Sequence, residues 1–203
     1  GGTRYELERL RCGTCGKTHV AEPPQDIGPN KCDVSVASTL GILHYGQGMP
    51  WNRIEQLQQA AGIPLPASDQ WELCRDALDH GLAAVHQQLL WLAAQGDLMH
   101  HDDTRMQVLQ WTAQLKRGQA LREDDPQRTG VFTTSILSMA SQRPTIALFF
   151  TGAYHAGENL RRVLQQRMEG LELPVQMCDR LSCNMPKDLQ TILANCLSHG
   201  RRK

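Results

Sequence analysis

The chain has 203 residues, 40% of them hydrophobic, with 21 Lys+Arg balanced by 21 Asp+Glu and seven cysteines. That length and apolar fraction allow one domain with a smaller module, or two compact ones, and exclude a disordered chain. Zero formal charge excludes a globally basic nucleic-acid coat. The absence of any apolar run near ~20 residues excludes a spanning helix, and an odd number of irregularly spaced cysteines points to a reducing, cytoplasmic setting.

Residues 1–32 form the first predicted region. Gly1-Gly-Thr-Arg-Tyr-Glu6 has neither the charged nor the apolar part of a secretion signal, and no initiator methionine, so the chain is expected to be part of a longer one. Cys12-Gly-Thr-Cys15-Gly16 reads as a metal knuckle, half of a zinc ribbon, in which the glycines let the backbone turn both thiolates towards one ion. Two further ligands are needed. His19 and Cys32 are candidates, as is a pair preceding Gly1, and two reduced surface cysteines in a turn are the alternative. Glu22-Pro-Pro-Gln-Asp-Ile-Gly-Pro29 reads as a linker.

Residues 33–95 read as helical, in segments Val34–Tyr45, Trp51–Ala61 and Ser68–Ala94, separated by Gly46-Gln-Gly-Met-Pro50 and Gly62-Ile-Pro-Leu-Pro-Ala67. Ser68 is the expected N-cap of the third segment, and Trp71, Leu78, Leu82, Val85, Leu89 and Leu92 its apolar stripe. A helix, a glycine-containing turn and a second helix resemble a DNA-binding helix-turn-helix with a longer, more proline-rich turn than the compact version, and fit equally a small bundle that packs on its neighbour.

Residues 96–203 change period. Leu98–Leu109, Thr129–Met139 and Thr145–Thr151 alternate as strands, Ala156–Glu169 carries Leu160, Val163, Leu164 and Met168 on one helical side, 173–178 is a strand, and Pro186–Ser198 a helix. The order β-β-β-α-β-α opens a ribonuclease H-like fold, so the class is mixed α+β or α/β with an incomplete core of that kind. A right-handed crossover through helix 156–169 places the fourth strand beside the first and parallel to it. Asp102, in the first, and Asp179, ending Leu173-Pro-Val-Gln-Met-Cys-Asp179, then meet at one mouth, where two carboxylates suit magnesium and phosphoryl chemistry. Alternation puts Asp102 with His100 on one face and Asp103 with His101 on the other, so only one of the adjacent aspartates serves as the inner ligand. A zinc site of His100, His101 and Asp102 is disfavoured by that alternation. Isolated aspartates also cap turns.

Cys12-Gly-Thr-Cys15, Tyr45-Gly-Gln-Gly-Met-Pro-Trp-Asn-Arg-Ile54, His101-Asp-Asp-Thr104, Asp179 and Cys196-Leu-Ser-His199-Gly-Arg-Arg-Lys203 occur in an order that resembles transposases of the insertion-sequence sixty-six family. The resemblance implies that Asp102 and Asp179 are two members of an Asp-Asp-Glu catalytic triad holding two magnesium ions, and that Cys12 and Cys15 are zinc ligands whose partner pair is missing. It also implies DNA, as transposon ends and target, and a homo-oligomer on that DNA, with no membrane. Arg161, Arg162, Arg201, Arg202 and Lys203 are the expected phosphate contacts. No Glu follows Asp179, so the third carboxylate has no counterpart and this chain is expected to be inactive alone. The other reading is a non-catalytic DNA-binding module, in which knuckle and helices bind DNA and the sheet is a scaffold.

Overall fold

The computed structural model describes residues 3, 5–25, 27, 32–179 and 181–201. These fall into two units, Gly1–Ala83 and Ala84–Lys203. The first unit begins with an antiparallel hairpin, β1 (Arg9–Arg11) and β2 (Thr18–Val20), in register Arg9↔Val20. Its turn is closed by the Cys12 amide donating to Lys17 O at 2.8 Å and the Gly16 amide to Cys12 O at 2.9 Å. Gly16 stands at φ 73°, a conformation that only glycine adopts without cost.

Helix α1 (Val34–Gly41) starts where the Asp33 carboxylate accepts the Ser35 amide at 2.6 Å, and runs on as a π-turn over Ile42–Gly46. Helices α2 (Trp51–Ala60) and α3 (Ala67–Ala77) follow, and Leu40, Ile54 and Leu65 form the core of this unit. The Gly46–Pro50 linker is pinned by His44, which stacks on Trp51 at 3.8 Å and donates from Nδ1 to Met49 O at 2.8 Å. Two expectations are corrected here. Ser68 is not the N-cap, because α3 starts at Ala67 behind Pro66, whose fixed φ suits a helix entrance. The predicted third helix is interrupted by a π-turn at Leu78–Leu82, and its expected stripe stays half-exposed, with Trp71 at 47% and Leu82 at 55%.

In the second unit α4 (Ala83–Ala94) buries Leu90, Ala93 and Ala94 instead of that stripe. A mixed five-stranded sheet follows, built from β3 (Leu98–Arg105), β4 (Phe132–Ala140), β5 (Arg143–Gly152), β6 (Val175–Cys178) and β7 (Ile192–Asn195), in the spatial order β5-β4-β3-β6-β7. The first three strands are antiparallel neighbours, and β6 lies parallel to β3, as the crossover argument expected. The crossover helix α6 (Ala156–Leu164) covers one face. Its Leu160, Val163 and Leu164 pack with Met99, Ile136 and Leu148 and with the buried residues of α4. Met168, beyond the end of α6, is exposed.

The Pro186–Ser198 helix is overturned. The chain turns at Asp188, φ 66°, pairs as β7 parallel to β6, and forms only the short α7 (Leu197–Gly200). Leu189, Ile192 and Leu193 have a spacing that fits either period, and the unpaired edge of β6 decides the outcome. Between β3 and β4, a further helix α5 (Leu109–Lys116) occupies what reads in sequence as the end of a strand and a polar connection. Among the described residues no helix is long and apolar enough to cross a membrane.

Candidate active site

The site is built at the carboxyl end of β3. Its side chains alternate as expected: Met99 and His101 are buried towards α6, whereas His100 and Asp102 lie half-buried on the opposite face. The parallel ladder to β6 runs Leu98↔Val175, Met99↔Gln176, His100↔Met177. Carried two residues further, that register would bring Asp102 level with Asp179, which follows the end of β6.

The two neighbouring aspartates of β3 are used differently. Asp103 points to the helix side, where its side chain is only 11% exposed. Its Oδ1 accepts Thr134 Oγ1 at 2.5 Å, and its Oδ2 accepts the Ala156 amide at 2.9 Å and His155 Nδ1 at 3.1 Å. A carboxylate at the amino end of α6 also meets the positive end of the helix dipole. With both oxygens engaged inside the protein, Asp103 is an anchor. Asp102 Oδ1 accepts the Asp103 amide at 2.9 Å. Asp179 Oδ1 accepts the Leu181 amide at 3.1 Å and Asn184 Nδ2 at 2.6 Å, so both of these bonds fall on one oxygen and leave Oδ2 for another ligand.

Under the pair lies a buried polar layer. Gln176, fully buried, donates from Nε2 to His101 Nε2 at 2.9 Å and to Asn184 O at 3.0 Å, and its Oε1 accepts Thr191 Oγ1 at 2.6 Å. An acceptor Nε2 requires neutral imidazole, and burial pushes His101 down to about 4, against the pull of the Asp103, Asp102 and Asp179 charges. Burial, with Asp103 and Asp179 adding to it, raises the Cys183 thiol, which places both carboxylates within electrostatic reach of that turn.

The donor set decides which metals the chain can accommodate. Magnesium keeps several waters and takes one or two carboxylates, so the Asp102 and Asp179 oxygens suit it. A closed structural zinc site needs four ligands. Cys12 and Cys15 lie side by side, and backbone amides of Cys15 and Thr14 lower the Cys12 thiol to about 7. Among the described residues, however, no group of three or more His, Cys, Asp or Glu comes together, so His19 and Cys32 do not complete a site with them. The residues present do not fit a closed zinc site.

The expected phosphate contacts are dispersed. Arg161 pairs with Asp188 at 3.4 Å, Arg162 lies 5.7 Å from the Tyr154 ring, and Arg201 is exposed after α7. Arg202 and Lys203 lie outside the described residues. Sequence reasoning missed the cluster around Glu158, which accepts Arg122 at 2.7 Å and also Arg128, while Arg122 covers Tyr154 at 4.0 Å. Trp111, Arg122, Tyr154 and Arg162 line a cleft of about 600 Å³. Arg122-Glu-Asp-Asp125 reads in sequence as a polar stretch, and nothing there announces the partner of Arg122 36 residues on.

The sequence profile of the Transposase IS66 family matches residues 32–203. The chain belongs to this transposase family. The match spans the helices of the first unit and the whole sheet of the second, and leaves the β1–β2 hairpin outside it. No curated protein and no solved structure matches this transposase significantly.

Proposed function

We propose that this transposase cleaves and joins DNA strands at the Asp102–Asp179 pair, on a ribonuclease H-like core. The observation that supports the reading is the parallel β3–β6 register, Leu98↔Val175 to His100↔Met177, which runs towards Asp102 on one strand and Asp179 after the other. In open α/β sheets the carboxyl ends of the strands are where ligands gather. Asp102 and Asp179 would hold the magnesium ions. When bound, such ions activate an attacking water or 3′-hydroxyl and neutralise charge on the leaving oxygen.

The protein's own residues prepare the site. Asp102 Oδ1 is aimed by the Asp103 amide, and Asp179 Oδ1 by Asn184 Nδ2 and the Leu181 amide. Arg162 and Arg201, with Arg161, Arg202 and Lys203, hold the sugar-phosphate backbone through contacts that carry no sequence information. Transposon ends and target are the DNA partners, and a homo-oligomer assembles on them. The hairpin with Cys12 and Cys15 and the α1–α3 helices serve end recognition.

The 203 residues supply two carboxylates of an Asp-Asp-Glu set, since no Glu follows Asp179. Assayed by themselves they are expected to bind DNA without cutting it. In a transposition assay on the intact gene, Asp102→Ala or Asp179→Ala should abolish strand cleavage while end binding in a gel-shift measurement is retained. Cleavage that survives both substitutions refutes the assignment. A non-catalytic DNA-binding module is the other reading, and it predicts that magnesium leaves the chain's DNA binding and its Asp102→Ala variant indistinguishable.

A further inference from the structure

We propose that the first turn of α6 is a bracket that sets the spacing of the Asp102 and Asp179 carboxylates. The inference rests on the reading of that pair as the metal-holding centre. The β3–β6 ladder ends at His100↔Met177, two residues short of both aspartates. Something else has to fix their separation, because a site for a hard divalent ion tolerates little misplacement.

One arm of the bracket reaches β3. The Ala156 amide and His155 Nδ1 hold Asp103 Oδ2, and Asp103 in turn donates its own amide to Asp102 Oδ1. Successive side chains on a strand point to opposite faces, so fixing Asp103 against the helix fixes the rotation of the backbone that aims Asp102 the other way. Asn159, 2% exposed, donates to Thr134 Oγ1 at 2.8 Å, and Thr134 completes the hold on Asp103 Oδ1.

The other arm reaches the turn after β6. A Cβ on Gly157 would stand 2.4 Å from Met185 O and 2.8 Å from Cys183 O, both backbone atoms, so the helix and this turn are in direct backbone contact. The turn carries Asn184, 1% exposed, whose Nδ2 holds Asp179 Oδ1 at 2.6 Å and whose carbonyl is fixed by Gln176. A side chain at 157 would therefore push the turn, and with it Asn184 and Asp179, away from β3. Asp103, Gly157 and Asn184 are positioning residues: none need touch substrate or metal.

The test is the affinity of the 203-residue chain for manganese(II), followed by electron paramagnetic resonance, with thermal unfolding measured alongside. Asp102→Asn should abolish the site. Gly157→Ala, which alters no charge, should weaken manganese binding by about tenfold, the usual cost of losing an outer support. Asp103→Asn keeps an acceptor for Thr134 but places an amide where the Ala156 N–H must be accepted, and should weaken binding similarly even if Gly157→Ala does not fold. Leu148→Ala, in the core on β5, should lower stability and leave affinity unchanged, which separates positioning from general loosening. Wild-type affinity in folded Gly157→Ala and Asp103→Asn overturns the bracket while leaving the pair intact. Wild-type affinity in Asp102→Asn overturns the pair, and the bracket with it.

Discussion

Asp102 and Asp103 are identical in chemistry and adjacent in the chain, yet the fold divides them between opposite sides of one sheet. Alternation alone states that they must differ. The hold on Asp103 comes from contacts 31 and 52 positions away, to Thr134 and His155, and those are not legible in the sequence. Cys12 shows the converse, because the Cys-Gly-Thr-Cys spacing already announces a turn that aims amides at a thiolate. That turn predicts reactivity: with the thiol lowered to about 7, its iodoacetamide alkylation should rise through a midpoint near neutral pH. Cys74, whose thiol burial pushes up, should lag far behind. Peptide mapping of a pH series decides it, and a Cys12 midpoint near 9 contradicts the hairpin geometry.

At the scale of elements, periodicity located the three antiparallel strands, the crossover helix and the parallel fourth strand, because each is long or strongly patterned. It failed where a segment is short and apolar, as at Ile192-Leu-Ala-Asn195, where pairing with β6 outweighs local helical preference. It also failed at α5, a short helix between the expected end of the first strand and a charged connection. The α6 stripe was the clearest signal, and its energetic weight is testable. Leu160 is fully buried among residues from α4, β3, β4 and β5, so Leu160→Ala should cost about 2–5 kcal/mol in urea unfolding. A loss below half a kcal/mol would mean that α6 is not packed as described.

For the whole molecule, each unit has its own core, and residues 84–203 expressed alone should unfold in one cooperative transition by circular dichroism. A broad, non-cooperative melt would show that this unit depends on the first. Acid stability follows from His101. The unfolded chain takes up its proton near pH 6.5 and the native one only near 4, so the native state loses stability as pH falls through that window. The loss amounts to about 3 kcal/mol and is complete below pH 4, where both states are protonated. Thermal melts between pH 7 and 4 in chelator should show this slope, and His101→Gln should flatten it; an unchanged slope removes His101 as the cause.

Two like residues in a row carry a hazard of their own. Sliding β3 by one position against β4 would put Asp103 in the place of Asp102 and Thr104 in that of Asp103, so the outer place would keep a carboxylate while the anchor to α6 was lost. Protection comes from the far end of the strand. At Gly96 a Cβ would stand 2.1 Å from Ser138 Oγ, which itself donates to Ala93 O at 2.7 Å. Asp97, next in the chain, would bring a carboxylate into that space if the strand shifted. The active end of β3 is thus kept in frame by a steric gauge at its opposite end, and variants at Gly96 belong among those that change the chemistry without touching it.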